Sequence, residues 1–67
     1  MKIVEVKILD IDQYDGARFS YKHKDTAVKH GPGFISGRFA DYGVILTFSN
    51  SEIHIPWTQI ANVITVE

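Results

Sequence analysis

Short runs in which apolar and polar residues alternate are the feature that most limits how this chain can fold. In residues 17–24, Ala17, Phe19, Tyr21 and His23 alternate with polar side chains. A period of two is typical of a β-strand that has one face on a core and the other in water. No segment keeps a helical period for more than one turn, so the sequence predicts an all-β fold.

The same pattern predicts six short strands joined by turns. Glycine, proline and asparagine at the joints, such as Asp15-Gly16 and Gly31-Pro32-Gly33, are typical turn signals. Strands one and two are expected to pair antiparallel, and the apolar fourth strand is expected to be central and buried on both faces. The predicted strands are residues 2–11, 17–24, 34–40, 44–48, 52–55 and 62–66, with at most one helical turn near residues 57–60.

The length of the chain sets the architecture. With 67 residues there is room for one domain, and folding at this size hides only about 60% of the surface of the unfolded chain. Short strands cannot bury their apolar faces as a flat sheet, so residues 1–67 are predicted to form a strongly bent antiparallel sheet or a small barrel of five or six strands. The chain has no cysteine, so disulfides cannot supplement the core.

Aromatic and β-branched residues supply the predicted core. A small barrel of this kind is filled by one face of each strand, and aromatic side chains contribute the largest buried areas. Tyr14 and Tyr42 lie in predicted turns and are the best candidates for exposed aromatics. Trp57 is assigned to the core, with the alternative that its ring lies half-exposed at the Pro56-Trp57-Thr58 turn. The side chains predicted to face the core are Val4, Val6, Ile8, Phe19, Tyr21, His23, Phe34, Phe39, Phe48, Ile53, Ile55 and Trp57, with the ring of His23 still reaching water.

Composition excludes several classes of protein. The chain is 45% hydrophobic and 22% charged, which is typical of a globular domain and excludes disorder. No apolar run approaches the roughly 18 residues of a membrane-spanning helix, and the chain begins without the apolar stretch of a signal peptide. A cytoplasmic protein with no membrane partner is therefore expected.

The second half of the chain carries a resemblance to a known family. Residues 35–39 (Ile-Ser-Gly-Arg-Phe), followed by Asp41, are similar to a bent strand with a central glycine; residues 44–48 are similar to an apolar third strand. Residues 53–63 add a short strand, a helical turn and a last strand. Together they resemble the two motifs of the Sm-like fold, including its bacterial Hfq branch. The resemblance implies a ring of identical subunits joined at strand edges. Where Hfq proteins bind uridines, this chain has Pro-Trp-Thr at 56–58, so no RNA-contacting residue is carried over.

Charge is unevenly distributed along the chain. The whole chain has a net charge of −1, yet residues 17–38 contain five cations against Asp25 alone, a local charge of +4. Residues 39–67 contain three carboxylates and no Lys or Arg. Lys and His beside a glycine-rich loop can bring cations and backbone N–H groups onto one anion. The predicted ligand-binding residues are Arg18, Lys22, Lys24, Lys29, His30 and Arg38.

Other readings of the polar residues remain open. The basic segment can equally be a solvated strand face whose lysines block edge aggregation. His23, His30 and His54 are scattered over three elements without the spacing of a metal site. No cysteine nucleophile, nucleophile elbow or phosphate-binding loop is present in the sequence. The expected protein is therefore not an enzyme and needs no metal or cofactor.

The sequence predicts a binding module with two candidate ligand classes. The leading hypothesis is a homo-oligomer that binds an anionic ligand, RNA or a nucleotide, through the basic segment 18–38. The alternative is a protein-interaction or inhibitor module that docks on a partner protein, as many short phage and mobile-element proteins do. Nucleic-acid binding would fall steeply with salt, and a hydrophobic protein clamp would not.

Overall fold

Six strands and one 3₁₀ turn make up the secondary structure of the described residues. The computed structural model describes residues 1–9, 18–26 and 33–67. The predicted turn at Asp15-Gly16 and most of the predicted Gly31-Pro32-Gly33 loop lie outside these ranges. The elements are β1 (Lys2–Leu9), β2 (Arg18–Lys22), β3 (Ser36–Ala40), β4 (Gly43–Thr47), β5 (Glu52–Pro56), the 3₁₀ turn Trp57–Gln59 and β6 (Ile60–Val66).

The strands form two three-stranded antiparallel sheets, which confirms the all-β prediction. The first sheet has the order β2-β1-β6 and the second the order β3-β4-β5. Over the described residues the sheets are not closed into a barrel. They meet where β1 passes β3: a Cβ on Gly37 would lie 3.3 Å from Cβ of Ile3 and 3.0 Å from Cδ2 of Leu46. The mid-strand glycine thus marks the close approach of the two sheets.

The central strand β4 is buried on both faces, as the sequence predicts. Val44 and Leu46 are fully buried in the core between the sheets, and Ile45 is buried on the opposite face. Gly43 is required at the start of β4, because a Cβ there would overlap the backbone carbonyl of Ile55 on β5. The apolar sequence of β4 therefore reflects a strand that has a neighbour on each side.

The core face of β1 differs from its prediction. Strict alternation predicts Val4, Val6 and Ile8, whereas the structure buries Ile3, Val6 and Ile8 and leaves Val4 partly exposed. The register between β1 and β6 shifts between Ile3 and Glu5. An irregularity of this kind adds one residue to one strand and reverses the alternation on one side of it.

Half of the predicted core aromatics lie at the surface. Phe34 is fully buried, and Tyr21 and Phe48 are partly buried against the core. The prediction is wrong for Phe19, Phe39 and Trp57, which are half-exposed. The 3₁₀ turn directs Trp57 away from the core that Ile55 enters, and Phe39 is the next-to-last residue of β3, beyond the crossing with β1. The described fold has room for fewer large rings than the sequence supplies.

The buried ring of His23 joins the two sheets. The prediction that this ring reaches water is wrong, because the residue is only 3% exposed. Its Nδ1 accepts the Asp25 backbone N–H (3.1 Å), so the proton lies on Nε2, which donates to the Ile35 carbonyl (2.7 Å). The backbone N–H of His23 donates to Val4 of β1, and His23 forms a parallel bridge with Phe34. This one residue links β1, the end of β2 and the approach to β3.

Candidate functional site

The predicted basic residues are divided between two sheets and a turn. The prediction that the second strand reaches Lys24 is wrong: β2 ends at Lys22, and the chain then turns, with the Thr26 backbone N–H donating to the His23 carbonyl. Arg18 begins β2 opposite Leu9. Arg38 belongs to β3 in the second sheet. Lys29 and His30 lie outside the described residues.

The guanidinium of Arg38 has a partner within the chain. Its Nη1 lies 3.6 Å from Oε2 of Glu52 on the outer face of the second sheet. The other carboxylate oxygen of Glu52 contacts Nε2 of His54 at 3.2 Å, and Nδ1 of His54 hydrogen-bonds the hydroxyl of Tyr42 at 2.5 Å. The buried Ile45 pairs in register with both Arg38 and His54. Arg38 is thus paired within the chain, although its side chain is still 59% exposed.

Lys24 lies beside a surface groove with a volume of about 530 Å³. The apolar side chains in its lining are Ile35, Phe48 and Ile53. Polar groups come from the turn between β4 and β5, Ser49-Asn50-Ser51. We call this the Lys24 groove; it is lined by Lys24, Gly33, Ile35, Phe48, Ser49, Asn50, Ser51 and Ile53.

Backbone hydrogen bonds hold the walls of the Lys24 groove. The Lys24 N–H donates to the Phe34 carbonyl at 2.9 Å, and the Ile35 N–H donates to the Thr47 carbonyl at 2.7 Å. The Phe48 N–H donates to the Ser51 carbonyl at 2.8 Å and closes the β4–β5 turn. Three segments that are distant in sequence are therefore fixed around one concave surface.

The chemistry of the groove suits a ligand that is both anionic and apolar. An ammonium group and hydroxyl and amide side chains are donors for an anion such as phosphate. An aromatic ring with aliphatic neighbours suits a planar apolar group such as a nucleobase. Lys24 is the only member of the predicted site that lines the groove among the residues described.

A second surface feature is a pair of exposed aromatic rings. Phe39 and Trp57 stack with their centroids 6.1 Å apart and their planes at 18°. The indole N–H of Trp57 donates to the Asp41 carbonyl, and its backbone N–H donates to the Tyr42 carbonyl, each at 3.0 Å. Tyr42 is itself half-exposed, as predicted for a turn aromatic, whereas Tyr14 lies outside the described residues. We call Phe39, Asp41 and Trp57 the aromatic patch.

The described part of the chain contains neither a metal-binding cluster nor a helix that could span a membrane. Within it, no three His, Cys, Asp or Glu side chains are grouped so that they could hold a metal ion. His54 is a residue of β5 whose side chain is half-exposed. No helix in residues 1–9, 18–26 or 33–67 is long and apolar enough to cross a membrane.

The comparisons with known proteins returned no match. No protein-family model, no curated protein and no solved structure matches the chain. The resemblance to the Sm-like fold therefore stays a prediction. Function has to be argued from the Lys24 groove and the aromatic patch themselves.

Sequence reasoning identified one side of the groove and missed the other. The Ser49-Asn50-Ser51 turn reads as a simple hairpin connection, and its distance from Lys24 in sequence hides their proximity. Ile35 and Phe48 flank the ends of β3 and β4, where an apolar residue is equally expected in a core. For the aromatic patch a signal did exist: Trp57 follows Pro56 at the end of a strand, where a ring can be left half-exposed.

Proposed function

We propose that this protein is a non-enzymatic binding module that holds a nucleotide or a single-stranded RNA segment in the Lys24 groove. The observation that carries the proposal is the juxtaposition of Lys24, the polar Ser49-Asn50-Ser51 turn and the apolar Phe48 in the lining of one groove. Phosphate would lie against Lys24 and the turn, and a base would pack on Phe48. A ligand of this kind is consistent with a cytoplasmic protein.

The expected binding free energy of one groove is small, and several grooves that bind the same ligand would raise the affinity. One charge-assisted contact contributes about 1.5–3 kcal/mol, and stacking of one base on an aromatic side chain contributes about 1–3 kcal/mol. One groove thus gives modest affinity for a single nucleotide. Association of identical subunits would place several grooves along one strand and raise the affinity through effective concentration. We therefore include a homo-oligomer in the proposal.

The other predicted basic residues differ in how close to the Lys24 groove they lie and in whether they already have an ion-pair partner. Lys22 ends the strand that leads to Lys24, and Lys29 and His30 belong by sequence to the segment that joins Thr26 to Gly33. Arg18 lies at the far end of β2, and the ion pair of Arg38 with Glu52 reduces its availability. We assign the principal phosphate contact to Lys24.

The test is the binding of a fluorescently labelled oligouridine to two matched variants. Lys24→Ala should weaken binding about 10- to 100-fold, which corresponds to the loss of one charge-assisted contact of about 1.5–3 kcal/mol. Lys7→Ala removes the same charge from an exposed position on β1 outside the groove lining and should change binding less than twofold. The logarithm of affinity should fall linearly with the logarithm of salt concentration. Equal binding by the two variants, or no binding by the parent, would contradict the proposal.

A second candidate function, docking on a partner protein, is favoured by a different observation. Phe39 and Trp57 present stacked half-exposed rings at the opposite end of β4 from the groove. Large exposed aromatics are enriched at the centres of protein interfaces.

A further inference from the structure

Trp57 of the aromatic patch is held in place, and both of its N–H groups already donate hydrogen bonds. Trp57 is held by two hydrogen bonds of 3.0 Å to the β3–β4 turn, one from its backbone N–H and one from its indole N–H. Its ring is stacked on Phe39, and the two residues are 44% and 45% exposed. The two rings are therefore held in place before a partner binds, so binding costs little of their conformational freedom.

The electrostatics of the patch favour a cation. The side chain of Asp41 is exposed in the same turn whose carbonyl groups hold Trp57. Among the described residues no cationic side chain lies within ion-pair distance of Asp41. The one neighbouring cation in sequence, Arg38, pairs with Glu52 on the opposite face of β3 from Phe39. Asp41 thus supplies an exposed carboxylate on the residue whose carbonyl accepts the indole N–H, and a carboxylate together with exposed π faces attracts a guanidinium or ammonium group.

We propose that the aromatic patch is a docking site for an arginine-bearing segment of a partner protein. The guanidinium would lie over the exposed part of the Trp57 ring and donate hydrogen bonds to the carboxylate of Asp41. Arginine suits this site better than lysine, because its planar group stacks on a ring and donates in a fixed fork. A nucleic acid suits it less, because the Asp41 carboxylate repels phosphate.

This site is separate from the Lys24 groove. The patch is built on the β3–β4 turn and the 3₁₀ turn, and the groove is built on the β4–β5 turn and the segment before β3. No residue belongs to both. The inference stands whether or not the groove binds a nucleotide.

The protein contains a single tryptophan, so its own fluorescence reports on this patch alone. A short arginine–glycine peptide should quench or shift the Trp57 emission in a saturable manner, and a glycine–serine peptide should not. Asp41→Asn keeps the backbone carbonyl that accepts the indole N–H, and it should weaken peptide binding at least threefold. Phe39→Ala should weaken it about two- to fivefold, the range of one exposed cation–π contact. Phe19→Ala, at an equally exposed aromatic on β2, should change it less than 1.5-fold.

Several results would overturn the inference. These are an emission that does not saturate, an Asp41→Asn variant that binds like the parent, or a Phe19→Ala variant as weak as Phe39→Ala. A stronger saturable response to oligouridine than to the arginine peptide would assign the patch to nucleobases instead. An emission that changes with protein concentration in the absence of peptide would assign it to a second copy of the chain. Circular dichroism of each variant verifies the fold, and Asp41→Asn decides the question if Phe39→Ala does not fold.

Discussion

Replacement of His23 by phenylalanine should destabilise the protein strongly, although the new side chain is also an aromatic ring. The ring of His23 is buried and makes two hydrogen bonds, to the Ile35 carbonyl at 2.7 Å and to the Asp25 N–H at 3.1 Å. Phenylalanine can make neither. It would keep the packing against Phe34, whose ring meets that of His23 edge-on with the centroids 5.5 Å apart.

The size of the effect follows from the two groups that lose their partner. A buried carbonyl or amide left without a hydrogen bond costs about 1–3 kcal/mol. The Asp25 side chain is 68% exposed, so water can replace most of its bond, whereas Ile35 is 39% exposed and its carbonyl is bonded at 2.7 Å to the buried ring. The expected loss is about 2 kcal/mol, mostly from Ile35. For 67 residues the total stability is roughly 3–10 kcal/mol, so the loss is a large share of it.

Urea denaturation followed by circular dichroism measures this effect directly. With a slope of about 1 kcal/mol per molar urea for so small a chain, the midpoint should fall by about 2 M. His54→Phe is the matched control, because it removes two hydrogen bonds from a histidine that is 48% exposed. That variant should lie within about 0.5 kcal/mol of the parent. A His23→Phe variant as stable as His54→Phe would refute the assignment of His23 as the link between the sheets.

Three further substitutions test the second sheet. Gly43→Ala should lower the free energy of unfolding by about 2 kcal/mol or more, because its Cβ would meet the rigid Ile55 carbonyl. Gly37→Ala should lower it less, since the nearest contact of its Cβ is the flexible end of the Leu46 side chain at 3.0 Å. Urea midpoints in the reverse order would contradict this. Glu52→Gln removes the charged partner of Arg38 and His54 at the surface. It should change the free energy of unfolding, measured by thermal melting, by less than about 0.5 kcal/mol. A larger loss would show that the side chains of Arg38, Glu52 and His54 act as a network.

Local patterns predict the strands of this protein well, because the alternation or apolar run that indicates a strand lies within the few residues of that strand. The buried central position of β4 follows from the lack of any polar residue between Gly43 and Thr47. The core face of β1 does not follow in the same way, because its irregularity depends on the partner strand β6. A few consecutive residues are enough to predict that a segment is a strand. They do not show which of its side chains face the core on either side of a bulge.

The candidate sites were less predictable because they depend on how the sheets are arranged. Lys24 and Asn50 come together only when the turn after β2 lies against the β4–β5 turn, and no periodicity reports that contact. Charge clustering selected Lys24, which lines the groove, but grouped it with Arg38, which the structure pairs with Glu52 in the second sheet. A run of like charges in sequence says little about which of them are available at one surface.

The second sheet carries both candidate sites, one at each end of its central strand. The Lys24 groove uses the turn that follows β4, and the aromatic patch uses the turn that precedes it. Five residues of strand separate the two turns by about 17 Å, which exceeds the Debye length of about 8 Å at physiological salt. A charge removed at one end is therefore screened from the other. Lys24→Ala should thus leave binding of the arginine peptide unchanged, and Asp41→Asn should leave binding of oligouridine unchanged, so that each variant reports on one site only.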